Sequence, residues 1–271
     1  MERSYSPAEG IHVLPTYAPI PGYGILPVNA FVLKSEEPAL IDCGLVSEQH
    51  EFMATLRGVI DPQELKWLWL THTDRDHIGS FYQLLEEVPH LRVITTYLGA
   101  GKMSLSSPLP MDRLYFLNPG QSIDVGDRRL TAVQPPSFDA PETIGFIDSK
   151  SGALFSSDCF GAILCSPAED ARDIPEKELA DLGTVWATID APWLHNIDRS
   201  RFSRTLNRIR ELSPSIVLSS HLPAAPGMAT QLLKSLASVP DARPFVGPDQ
   251  DMNVNPKWPH RDDRKWPRPA S

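Results

Sequence analysis

The run Trp67–Leu70 (WLWL), followed at once by His72-Thr73-Asp74-Arg75-Asp76-His77, constrains the chain more than any other feature. An unbroken apolar run of this kind is what a strand buried on both faces shows, and such a strand needs a sheet covered on either side. The polar segment behind it carries four metal-capable side chains in six residues. Extended alternation would send His72, Asp74 and Asp76 to one side of the chain. His77 would follow on the first turn of a helix, which the spacing of Ile78, Phe81, Leu84 and Leu85 predicts to open at Asp76. Asp76 could serve simply as that helix's cap. Leaving four such groups unpaired at the end of a buried strand is costly, so the segment is expected to converge on a pair of ions.

Around this segment apolar runs alternate with helical periods. Strands are expected near Ile11–Tyr17, at Asn29–Leu33 and Ala39–Asp42 as a hairpin across KSEEP, and at Leu91–Thr95. Further strands are expected at Gln121–Gln134, turning at Gly126-Asp127, then at Ile144–Ile147, Ala153–Ser156 and Ser215–Leu218. Phe52, Leu56 and Ile60 mark one helix, Phe202, Leu206, Ile209 and Leu212 another, and Met228–Leu236 a last one. The pattern is α/β, two strand-rich halves joined near Ser104–Pro110, in a domain covering residues 1–243. Residues 244–271 form a tail with six prolines and two KWP triplets, holding Trp258 and Trp266, whose composition predicts disorder.

Composition removes several function classes. A formal charge of −9 with 41% apolar residues describes a globular acidic chain with no surplus of Lys and Arg for nucleic acid or anionic membranes. No apolar run reaches the roughly 20 residues that cross a bilayer, and MERSYSPAEG lacks a secretory signal's character, so a cytoplasmic address is expected. Cys43, Cys159 and Cys165 are odd in number and lack CxxC spacing, which supports neither a disulfide framework nor a thiolate zinc site. GxSxG, GxGxxG and GxxxxGK[ST] are all absent.

The segment His72–His77 resembles the signature loop HxHxDH of the metallo-β-lactamase fold, with Asp74 where the second histidine normally stands. A carboxylate there marks the flavodiiron proteins and the related oxygen-binding di-iron proteins, which carry HxExDH. Ile41-Asp42-Cys43-Gly44 resembles the Asp-Gly turn that ends the fold's first strands. Phe138-Asp139-Ala140-Pro141-Glu142-Thr143 stands where the di-iron branch has His-x-Pro-Asp/Glu, so Asp139 replaces a histidine. Leu154–Gly161 (LFSSDCFG) resembles the strand with the bridging aspartate, and Val217–His221 the strand delivering the last histidine. The likeness spans roughly residues 10 to 240.

The resemblance implies a four-layer αββα metallo-β-lactamase-like sandwich. It also implies one metal position from His72, Asp74 and Asp139, a second from Asp76, His77 and His221, and Asp158 as the bridge. The carboxylates Asp74, Asp76, Asp139 and Asp158 balance two divalent ions by charge alone, and an oxygen-rich set with few imidazoles ranks iron first, manganese second and zinc third. Two functions fit such a pair. One is the binding or reduction of O2 or a related diatomic, fed by an external electron donor because 271 residues leave no room for the flavodoxin domain of the flavodiiron proteins. The other is hydrolysis of an ester, thioester, lactone or phosphodiester by a bridging hydroxide. Asp76 and His195, in Trp193-Leu194-His195-Asn196, are the candidate catalytic groups. Partners are then a small molecule or O2, with a second copy of the chain as a further candidate.

Overall fold

A computed structural model describes residues 1–248. Thirteen strands and six α-helices follow one another along them. The strands are β1 (Tyr5–Ala8), β2 (Ile11–Ile20), β3 (Gly24–Leu33), β4 (Ala39–Ile41), β5 (Trp67–Trp69), β6 (Arg92–Thr95), β7 (Leu114–Phe116), β8 (Ser122–Asp124), β9 (Arg129–Val133), β10 (Gly145–Asp148), β11 (Ala153–Phe155), β12 (Ile216–Leu218) and β13 (Ala225–Pro226). The helices are α1 (Gln49–Val59), α2 (Phe81–Glu87), α3 (Tyr97–Ser104), α4 (Glu176–Asp190), α5 (Arg199–Glu211) and α6 (Ala229–Ser238). Among the described residues no helix is long and apolar enough to cross a membrane.

The strands form two sheets, β1-β2-β3-β4-β5-β6-β7 and β13-β12-β11-β10-β9-β8. Strand alternation assigns side chains to layers. In β5, Trp67 and Trp69 face the space between the sheets, with Ile41, Phe146, Phe155 and Leu218, while Leu68 turns outward to Phe52, Leu56 and Phe81 of α1 and α2. In the second sheet Ala153 and Phe155 face inward, while Leu154 and Val217 meet Leu182 of α4, Leu206 of α5 and Leu232 of α6. Strands clothed on both faces give the four layers of an αββα sandwich.

Several expectations shift. The sheets change over between Phe116 and Ser122, so the joint lies after the predicted Ser104–Pro110, because β7 still pairs with β6 in the first sheet. The helix after the polar loop opens at Phe81 rather than Asp76. Phe245 packs edge-on against Tyr23 with ring centroids 5.5 Å apart. Trp258 and Trp266 lie outside the described residues.

Candidate metal centre

Three parallel strands, β4, β5 and β6, end side by side, and the site grows from the loops at that edge. After β4, Asp42 takes φ 56°, a left-handed conformation that Asp tolerates better than most residues. Its Oδ1 accepts from the Thr71 amide at 2.8 Å and its Oδ2 from the Thr71 hydroxyl at 2.7 Å. The turn then binds the polar loop through Cys43 N to His77 O at 2.8 Å, Gly79 N to Gly44 O at 2.8 Å and Ser80 N to Cys43 O at 3.0 Å. A Cβ on Gly79 would lie 2.3 Å from Gly44 O, so the two segments approach only because residue 79 has no side chain. These bonds account for the late helix: His77 O, Gly79 N and Ser80 N are committed to the Asp42–Gly44 turn, and His77 N and Ile78 N both return to Asp74 O. Strand alternation therefore stops at Thr71, and His72, Asp74 and Asp76 are aimed by a turn rather than by a strand.

Each imidazole is fixed through Nδ1, which leaves Nε2 for the cavity. His77 Nδ1 lies 2.8 Å from Asp42 Oδ2, and His221 Nδ1 donates to Pro27 O at 2.6 Å. His72 Nδ1 sits 3.3 Å from the Thr71 hydroxyl and 3.2 Å from that of Ser157. Oriented histidines of this kind are what metal ligation requires. Trp186 closes the floor, its Nε1 donating to Asp158 O at 3.1 Å and its ring tilted over His221 at 4.7 Å.

The donors gather in two overlapping halves, with ligand atoms within 4.8 Å of one another in each group. One holds His72, Asp74 and Asp139, and the other Asp76, His77 and His221. Asp158 stands between them. Its Oδ2 lies 3.5 Å from His72 Nε2, while its Oδ1 lies 3.1 Å from His77 Nε2 and 3.3 Å from His221 Nε2. His77 also groups with His72 and Asp158, so it reaches toward both halves. All seven residues expected to hold metal thus converge. His195 is in none of these groups; its Nε2 is buried without a hydrogen bond in the short helical turn Pro192–Asn196. Asp190, the last residue of α4, was not foreseen, yet it groups with Asp139 and Asp158.

The electrostatics are those of a cavity that wants positive charge. Burial opposes the charged form of His77, yet the carboxylates of Asp158, Asp42 and Asp76 outweigh it and hold the imidazole well above its ordinary range. His221 is likewise pushed up to about 9 against its burial, chiefly by Asp158. Asp158, though buried, is held well below the usual carboxylate range by His221, His72 and His77. Asp139 is raised by burial and, against the pull of His72, by Asp158 and Asp74, while burial with Asp158 and Asp139 pushes Asp190 up to about 8. His72 Nε2, His77 Nε2 and Asp158 Oδ1 are buried without a hydrogen bond. Orphaned donors facing crowded carboxylates suit a pair of cations, and this donor set fits one.

A family model described as ODP family beta lactamase matches residues 26–221, from within β3 to His221 itself. The chain belongs to that family. It is 30% identical over 151 residues, 55% of its length, to the putative diflavin flavoprotein A 3 of Nostoc sp. strain PCC 7120, of which it covers 26%. It is 26% identical over 197 residues to the coenzyme F420H(2) oxidase of Methanothermobacter marburgensis, covering 69% of this chain and 49% of that one. The chain thus spans between a quarter and a half of these relatives. The rubredoxin oxygen:oxidoreductase of Desulfovibrio gigas superposes with a TM-score of 0.75 at 18% identity, over 88% of this chain and 61% of that one. The metal-soaked Flv1 flavodiiron core of Synechocystis sp. PCC6803 gives 0.74 at 16% identity, over 88% and 60%. The resemblance to the di-iron branch of the metallo-β-lactamase fold therefore holds for family and architecture.

Proposed function

We propose that the chain is a dinuclear non-haem iron protein that binds or reduces O2 or a related diatomic such as nitric oxide, with electrons from an external donor. The observation that carries this reading is Asp158, whose two carboxylate oxygens face different imidazoles, Oδ2 toward His72 at 3.5 Å and Oδ1 toward His77 at 3.1 Å. A carboxylate presented in this way suits two ions sharing one ligand. His72, Asp74 and Asp139 would hold one ion, and Asp76, His221 and His77 the other. Bound iron would supply one-electron chemistry and a place for a diatomic ligand.

The chain's own residues do the rest. Asp42, the Pro27 carbonyl and the Thr71 and Ser157 hydroxyls keep the three imidazoles turned inward. Asp76 and Asp139 are partly exposed where His72 and His221 are buried, so a small ligand would reach the centre from their side. The relatives named as an anaerobic nitric oxide reductase flavorubredoxin, from Pectobacterium atrosepticum, and as an F420H(2) oxidase support diatomic reduction over hydrolysis. Anaerobic loading with ferrous iron, metal analysis and an electrode assay for O2 and nitric oxide uptake with a chemical reductant test the reading. Two irons per chain with reductant-dependent uptake are expected. Preferential zinc retention with steady ester or phosphodiester cleavage would overturn it.

A further inference from the structure

The half of the centre around His72 is short of donors. In the group His72, Asp74 and Asp139, His72 is the one imidazole and its two companions are exposed, while His77 reaches this half only through its grouping with His72 and Asp158. A further carboxylate, Asp190, is brought in by the C-terminal end of α4. Carboxylate oxygens of Asp139, Asp158 and Asp190 lie within 4.8 Å of one another. Asp190 Oδ2 is buried with no hydrogen-bond partner. His72, only 1% exposed, aims an equally unpartnered Nε2 at two members of that group, lying 3.5 Å from Asp158 Oδ2 and 3.9 Å from Asp139 Oδ1.

A buried carboxylate oxygen without a donor is expensive, and here no protein group relieves it. An ion between His72, Asp139 and Asp158 would. An octahedral ion such as Mn2+ takes about six ligands, which Asp74, Asp139, Asp158 and His72 do not complete. We propose that Asp190 is a further ligand of the ion in the His72 half, making that position carboxylate-rich and the His77–His221 half imidazole-rich. The inference rests on the dinuclear reading of the site but not on redox chemistry. The two positions are then unequal, and the His72 half accepts Mn2+ readily, because carboxylate sets favour it more than imidazole sets do.

The test uses Mn2+ alone, titrated into the metal-free full-length chain and followed by loss of the free-ion paramagnetic resonance signal. Wild type should bind two equivalents. Asp190→Asn should weaken one of them at least tenfold, and Asp190→Glu should keep both. A residue that merely supported the ligands could also weaken binding, so a second variant reads coordination directly. Asp190→Cys loaded with Co2+ should show a thiolate-to-cobalt charge-transfer band in the near ultraviolet, absent from wild type and from Asp181→Cys, an exposed position on the same helix. Unchanged affinity for both Mn2+ ions in Asp190→Asn, or two bound Co2+ without the band in Asp190→Cys, would overturn the assignment. If the band appears and the iron-loaded wild type takes up neither O2 nor nitric oxide, the ligand stands and the functional proposal falls. Uptake without the band gives the reverse.

Discussion

At the scale of single residues, the centre divides into groups that would touch metal and groups that aim them, and substitution should separate the two. Asp158 faces His72 through one oxygen and His77 and His221 through the other. Asp158→Ala should therefore cost both ions, whereas Asp139→Ala, which touches only the His72 half, should cost one; metal stoichiometry after gel filtration distinguishes them. Asp42 is different. Its Oδ2 holds His77 Nδ1 at 2.8 Å while the same side chain anchors Thr71, and its backbone sits at φ 56°. Asn tolerates that conformation and can still accept from the Thr71 amide, so Asp42→Asn should fold normally yet lose the charge that keeps His77 oriented. Metal affinity should fall by roughly 10–100-fold, the usual effect of removing a ligand's supporting partner. An unchanged dissociation constant would show that the 71–80 loop alone holds His77.

At the scale of elements, the loop between β5 and α2 is held by backbone contacts to the Asp42–Gly44 turn, and Gly79 is the point of closest approach. Gly79→Ala should force the segments apart, at a cost of about 1–3 kcal/mol of the kind overpacking exacts, visible as a lower melting temperature together with weaker metal binding. The same elements explain what could be read in advance. β5 was legible because Trp67, Leu68 and Trp69 are all buried, and α1 and α5 because Phe52 and Leu56, or Phe202, Leu206 and Ile209, recur at helical spacing. Helix α4 was not, since its buried face mixes Leu179 and Leu182 with Ala187 and Thr188, too weak a stripe to stand out. Helix α3 hid likewise behind two glycines. Seven donors could be placed through motif likeness, four of them in one short segment. Asp190 offered no such signal: an Asp before Ala191-Pro192 reads as an ordinary turn, and only the packing of α4 on the second sheet carries it to Asp139 and Asp158. Asp42 was legible as part of a turn but not as the partner of His77, because that contact spans 35 positions.

At the scale of the whole molecule, part of the formal charge of −9 is gathered in one cavity, so the stability of the metal-free protein should depend on pH in a way set by that cavity. Asp190 is pushed from 3.8 up to about 8, which means the folded state binds its proton more tightly than the unfolded chain and loses stability as pH rises between those values. His221, raised from 6.5 to about 9, contributes stability that is complete below 6.5 and disappears as pH climbs through 9. Both effects run the same way, so the melting temperature of the metal-free protein should fall steadily from about pH 6.5 to pH 9. Bound divalent ions replace those protons with positive charge that does not titrate away. They also stabilise by mass action, about 2.7 kcal/mol at a hundredfold excess over the dissociation constant. The loaded protein should thus keep its melting temperature across the same interval, and the gap between loaded and chelator-treated samples should widen toward pH 9. Scanning calorimetry of both forms at several pH values measures that gap; a gap that narrows with rising pH would mean that the crowded carboxylates are not what the ions relieve.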